Sequence, residues 1–165
     1  MKYIIASVLI LFTISRVHGQ TWTTTGSGTI TVGTVLNIAL SNQAAAPSFT
    51  TASDYQNGKT TLNYATVAIK SNVNWITSVN AQATYFTPQT VGASADMPAS
   101  VLGIRLNGNV SYITMSTVSQ TLKTGNKGNA AAAGNTYNVD MFFNPGFSYA
   151  GGLYNMGVVY TITQQ

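Results

Sequence analysis

The sequence predicts an all-β protein, an Ig-like antiparallel β-sandwich of about seven or eight strands, and three observations carry that expectation. Apolar and polar residues alternate with period 2 in segment after segment, as they must when one face of a strand is buried and the other is wet. Between those segments stand Gly, Pro, Asn and Asp in the combinations that make tight turns. Finally, only 6% of the chain is Asp, Glu, Lys or Arg, against about 25% in an average globular protein. So uncharged a chain could be a polar disordered one, but disorder goes with a shortage of aromatic and β-branched residues, and here both are abundant.

Taken in order, the first element is not part of the sandwich. MKYIIASVLILFTISRVHGQ has a basic start at Lys2, an apolar run to about Ile14 and small residues before Gln20, the pattern of a secretory signal peptide. Val17 and Gly19 suit the two positions that a signal peptidase reads. The expected organisation is a signal peptide over residues 1–19 and a single β-sandwich domain over 20–165. The apolar run falls short of the ~20 residues a membrane helix needs, and no second run of that length follows, so the mature chain is expected to have no transmembrane segment. The expected location is outside the cytoplasm of a bacterium, in the periplasm or on the extracellular surface. The chain holds no cysteine, which excludes disulfides and a lipidated-cysteine anchor.

Residues 29–41 give the longest clean alternation, with Ile30, Val32, Leu36, Ile38 and Leu40 on one face. Residues 41–60 read as a long loop holding Pro47, Asp54 and an Asn57-Gly58 pair. In TTLNYATVAIK the phase slips between Leu62/Tyr64 and Val67/Ile69, which predicts a bulge or a doubly covered strand. NWITSVNA follows, and a tryptophan early in a central strand is a common plug in a sandwich core. Pro88 and Pro98 bracket a second loop. VLGIRL is expected to form a hairpin with VSYITMS through Asn107-Gly108. One more strand is expected near 118–123, then a Gly/Asn/Ala loop with the tetra-alanine 130–133 at its tip. A strand with Tyr137, Val139, Met141 and Phe143 on its apolar face comes next, with Asp140 on the opposite parity and so expected to face solvent. After Asn144-Pro145-Gly146 a terminal strand puts Tyr154, Met156, Val158, Tyr160 and Ile162 on one side.

The residues available for chemistry are few. Beyond residue 19 there is no histidine, glutamate or cysteine, so Ser-His-Asp triads, thiol nucleophiles and zinc sites lack their parts. Three aspartates remain, Asp54, Asp96 and Asp140, and their separation along different segments speaks for structural roles over a catalytic pair. Asp54 with Gln56 and Asn57 offers oxygen ligands for Ca²⁺, but a turn cap accounts for the same residues. No enzyme activity and no cofactor are expected. The cations Lys59, Lys70, Arg105, Lys123 and Lys127 are dispersed and make no basic patch, so nucleic acid is not an expected partner. Asn109-Val110-Ser111 matches a glycosylation sequon directly after a turn.

The signal peptide, the alternating first strand, SNVNWITSV, MPASVLGIRL and the closing NPG…AGGLYNMGVVYTITQQ together make the chain resemble secreted bacterial β-sandwich surface subunits of the pilin-like and spore-coat-U-like kind. The likeness is one of pattern over most of residues 20–165. The chain departs from chaperone–usher pilins in having no disulfide, and from WxL wall-binding proteins in lacking that tripeptide after Trp22 and Trp75. The resemblance implies a structural or adhesive cell-surface protein, a fimbrial or fibre-forming subunit that self-associates or joins related subunits through β-strand contacts. Its expected subunit-contact residues are Ile30, Val32, Leu36, Ile38 and Leu40, a segment that fills a place in its own domain or, by strand addition, in a neighbour's. The alternative is a carbohydrate-binding module with a glycan partner, in which exposed rings at Trp22, Tyr55, Tyr85, Phe147 and Tyr149 stack on the ligand.

Overall fold

A computed structural model of the chain describes residues 29–165; the signal segment and Trp22 lie outside the described residues. One compact unit spans Gly33–Gln165. It contains ten strands, one short α-helix and a 3₁₀ turn at Ala99–Val101: β1 Leu36–Ser41, α1 Ala52–Asn57, β2 Lys59–Ser71, β3 Trp75–Ala81, β4 Thr87–Pro88, β5 Leu102–Leu106, β6 Ile113–Thr114, β7 Gln120–Gly125, β8 Thr136–Phe143, β9 Tyr154–Asn155 and β10 Val158–Gln164. Seven of the strands have five residues or more and three have only two, which reconciles the count of ten with the seven or eight that the alternation predicts.

All pairing is antiparallel. One sheet has the order β1-β2-β8-β5-β6, a second has β10-β3-β7, and β4 pairs with β9 in a small ladder. The two larger sheets face each other over one core. Ala65, Val67 and Ile69 of β2, Ile104 of β5, and Val139 and Met141 of β8 come from one side, and Trp75, Val79 and Ala81 of β3 with Leu122 of β7 from the other. Among them are Trp75, the expected core tryptophan, and Val139 and Met141 of the expected apolar face of β8. Burying alternate residues of both sheets removes their apolar surface from water while the other parity keeps its hydration.

Strands β1-β2-β8-β5 occupy the places of A-B-E-D in an immunoglobulin-type sandwich, and β3 with β10 those of C and F. Strand β7 is the departure, since it crosses to the outer side of β3 between β5 and β8. The place on the outer side of β10, where such a sandwich carries its G strand, holds no strand among the described residues. β1, the edge of the other sheet, lies alongside β10 there without pairing to it.

The expected phase slip in β2 is a bulge. Its register on β8 shifts between Thr61 and Ala65, and Asn63 adopts a left-handed backbone at φ 50°. The bulge also explains why Asp140 does not face solvent as its parity predicts: it is fully buried. The Asn63 amide donates to Asp140 Oδ1 at 2.9 Å, Asn107 Nδ2 donates to the same oxygen at 2.9 Å, and Arg105 Nε donates to Oδ2 at 3.0 Å. β8 is flanked by β2 and β5, and its outward carboxylate is covered by the backbone of the bulge on the β2 side and by the Arg105 and Asn107 side chains on the β5 side.

Three further differences have local causes. The loop expected at 41–60 contains α1, which is started by a capping box: Asp54 N donates to Thr51 Oγ1 at 3.2 Å and Thr51 N donates to Asp54 Oδ2 at 3.0 Å. Asn57-Gly58 is then the end of that helix, with Gly58 at φ 70° in the left-handed region that suits a helix stop. The terminal strand is interrupted at Met156-Gly157, so Tyr154 pairs with β4 and residues from Val158 onward pair with β3. The long alternation at 29–41 becomes a strand only from Leu36, paired with β2 from Leu36↔Ser71 to Ser41↔Thr66.

Candidate functional site

The loops at one end of the sandwich line a half-open cavity of about 500 Å³. Its wall begins with the segment before α1, where Pro47, Ser48 and Phe49 turn toward the helix that carries Tyr55. The helix is fixed by its cap and by Lys59, whose ammonium reaches Asp54 at 3.3 Å and the Ser48 carbonyl at 2.9 Å. Hydrogen bonds from the Thr50 and Thr51 amides, and then from Lys59, hold the Asp54 carboxyl at about 2. Its oxygens are therefore committed to the cap and the lysine, which is the turn-cap alternative to a Ca²⁺ ligand.

The opposite wall is the 145–154 segment, with Pro145, Tyr149, the Ala150-Gly151-Gly152 run, Leu153 and Tyr154. It is tied down by hydrogen bonds from Ala150 N to Ser94 Oγ and from Leu153 N to Thr90 Oγ1, at 2.8 and 2.9 Å. The Tyr154 hydroxyl donates to the Ala150 carbonyl and accepts from Ser94 N. Phe86, Met97 and Phe143 form the floor. Three rings make a run at the edge: Phe49 meets Tyr55 at 5.5 Å between centroids, tilted by 53°, and Tyr55 stacks on Phe147 at 5.5 Å and 28°. Phe147 carries this wall outward, with 68% of its surface exposed.

A second cleft, of about 320 Å³, opens on the seam between the two sheets. Its sides are Leu40 of β1, Gln43 and Tyr64 against Val158 and Tyr160 of β10, and it reaches down to the core residues Ala65, Leu102 and Met141. Ala46, Phe86, Phe143 and Tyr154 line both spaces and form the partition between them. The hydroxyl of Tyr160 is buried with no hydrogen-bond partner. Burial pushes its pKa up, and the neighbouring hydroxyls of Tyr137 and Tyr64 add to the effect. Tyr137, by contrast, is satisfied by Thr77 Oγ1 at 2.8 Å, and burial raises it to about 12.

Of the candidate stacking rings, Tyr55, Phe147 and Tyr149 are brought together at the loop end, while Tyr85 is half exposed and lines neither space. Of the candidate contact residues, Leu36 and Ile38 pack on the chain's own core, Leu40 flanks the seam, and Ile30 and Val32 are 85% and 73% exposed. Sequence reasoning missed Phe49, Phe143, Tyr154, Tyr64 and Tyr160. The Thr51-x-x-Asp54 spacing is a readable helix start and would have brought Phe49 beside Tyr55; the others answer only to tertiary packing. No family model and no curated protein matches the chain.

Proposed function

We propose that this chain is a structural subunit of a bacterial surface fibre, exported by its leader and joined to its neighbours by β-strand addition. The observation that carries the reading is the open seam beside β10. A sheet edge normally needs cover, because its unpaired N–H and C=O groups recruit whatever strand is at hand. Here β1 lies alongside the outer edge of β10 without pairing to it, so that edge has no strand partner among the described residues, and the cleft between the two descends to the core. The orphaned Tyr160 hydroxyl lines that cleft, and an unpaired buried hydroxyl costs about 1–3 kcal/mol, which a polar group of an incoming backbone would recover.

The same chain offers a strand to add. Ile30 and Val32 keep the alternation of β1 but have more than half of their surface exposed, and the chain leaving β1 is fixed by Asn72, which accepts from Val35 N at 2.8 Å and donates to the Gly33 carbonyl at 2.6 Å. Strand addition puts backbone hydrogen bonds in register and lodges alternate side chains in pockets. The test is sedimentation of residues 20–165 refolded together at rising concentration. Multimers are expected for the natural chain. An Ile30→Asp, Val32→Asp double variant should give a monomer with the same melting transition. A natural chain that stays monomeric throughout, or a double variant that still assembles, defeats the reading.

A further inference from the structure

Strand addition at the seam leaves the loop-end cavity without a role. We propose that this cavity is a binding site for an uncharged glycan chain, seated between the Tyr55–Phe147 stack and the backbone of Ala150, Gly151 and Gly152. The first argument is charge. No Asp, Lys or Arg is among its lining residues, and Asp54, which precedes Tyr55, is paired with Lys59 at 3.3 Å. An ionic ligand would lose its hydration there and find no counter-charge.

The second argument separates a sugar from a purely apolar ligand. Small-ligand sites combine apolar walls with a few polar groups that fix orientation. Rings supply the walls here. The polar groups are the Ser48 and Tyr149 hydroxyls and the amides of Gly151 and Gly152, none of which makes a hydrogen bond among the described residues. A wholly apolar ligand would strip water from these groups and return nothing. A pyranose presents C–H faces to aromatic rings and hydroxyls around its edge, which matches both kinds of wall. The third argument concerns length. The ring run continues past the cavity to the exposed Phe147, so the platform serves a second sugar beside the one seated in the cavity.

Two substitutions test the site with the fold left alone. Phe147→Ala removes an exposed ring. Gly151→Trp adds an indole at the cavity's lining that the backbone accepts, since a Cβ at Gly151 meets nothing within 4 Å and its backbone is not left-handed. The experiment is calorimetric titration of residues 20–165, carrying Ile30→Asp and Val32→Asp so that strand addition does not intervene, with cellohexaose, xylohexaose, maltohexaose and chitohexaose. Polygalacturonate serves as the charged counterpart and 2-naphthol as the apolar one. At least one neutral oligosaccharide should bind, and each substitution should weaken it tenfold or more with the melting transition unchanged. Binding of none of the four overturns the proposal, as does tighter binding of polygalacturonate or 2-naphthol, or affinity that survives both substitutions. None of these outcomes bears on assembly, which is read separately by sedimentation.

Discussion

Trp75 shows how one residue depends on a place the sequence does not display. Its side chain is fully buried, its Nε1 donates to the Asn126 carbonyl at 3.0 Å, and its ring lies parallel to Tyr137 at 6.4 Å. Directly across the ladder stands Gly125, where a Cβ would fall 2.1 Å from the indole. Removing the ring leaves a large cavity, so Trp75→Ala should cost about 3–5 kcal/mol, read as a lowered urea midpoint with an unchanged slope. Gly125→Val should destabilise as well, and a Gly125→Val, Trp75→Val double variant should recover part of that loss. An unchanged midpoint for Trp75→Ala would remove the tryptophan from the core. The alternation around Trp75 is enough to place it inside. Gly125 reads as turn chemistry in TGNKGN, because a glycine that makes room for a ring and one that makes a turn look alike in a sequence.

At the level of elements, the bulge in β2, the middle of β8 and the end of β5 form one polar assembly around Asp140. Burial by itself raises the carboxyl, but hydrogen bonds from Asn107 and the Asn63 amide, and then the Arg105 guanidinium, outweigh it and hold Asp140 below the ordinary carboxylate range. Asp54 is lowered too, to about 2. A carboxyl depressed on folding stabilises the native state above its unfolded pKa of about 3.9. That contribution is lost as pH falls through the lower folded value. Stability should therefore drop between about pH 4 and pH 2, and Asp140→Asn should flatten that dependence while lowering stability at neutral pH. An acid profile identical in the variant would show that the buried carboxylate plays no part. The bulge itself is legible in TTLNYATVAIK, because a phase slip is visible in one dimension. The assembly is not, since its members are 35 and 77 residues apart in the chain. α1 is hidden for another reason: six residues are too few to establish a helical period, which leaves only the Thr51/Asp54 spacing to announce it.

For the molecule as a whole, the scarcity of charge is a thermodynamic property. Two ion pairs occur among the described residues, Lys59–Asp54 and Arg105–Asp140, and only the second has a fully buried partner. An exposed pair is worth about 0–1 kcal/mol, so raising NaCl from 20 to 500 mM should move the melting temperature by no more than about 4 °C. A larger fall would mean that electrostatics outside these pairs holds the fold. Global architecture was legible as far as alternation reaches, giving the all-β class, the inner faces and the core tryptophan. The pairing of β5 with β6 was legible too, announced by Asn107-Gly108, but the order of the other strands was not, because side-chain parity says nothing of neighbours. That neighbour order has a kinetic consequence. β2 waits for β8, and β3 waits for β10, so each sheet is completed by residues that leave the ribosome long after its first strands. Pairings this distant in sequence slow folding toward the millisecond-to-second range. In that interval the apolar faces of β2 and β3 are uncovered, and any factor that shepherds the newborn chain has those faces to hold.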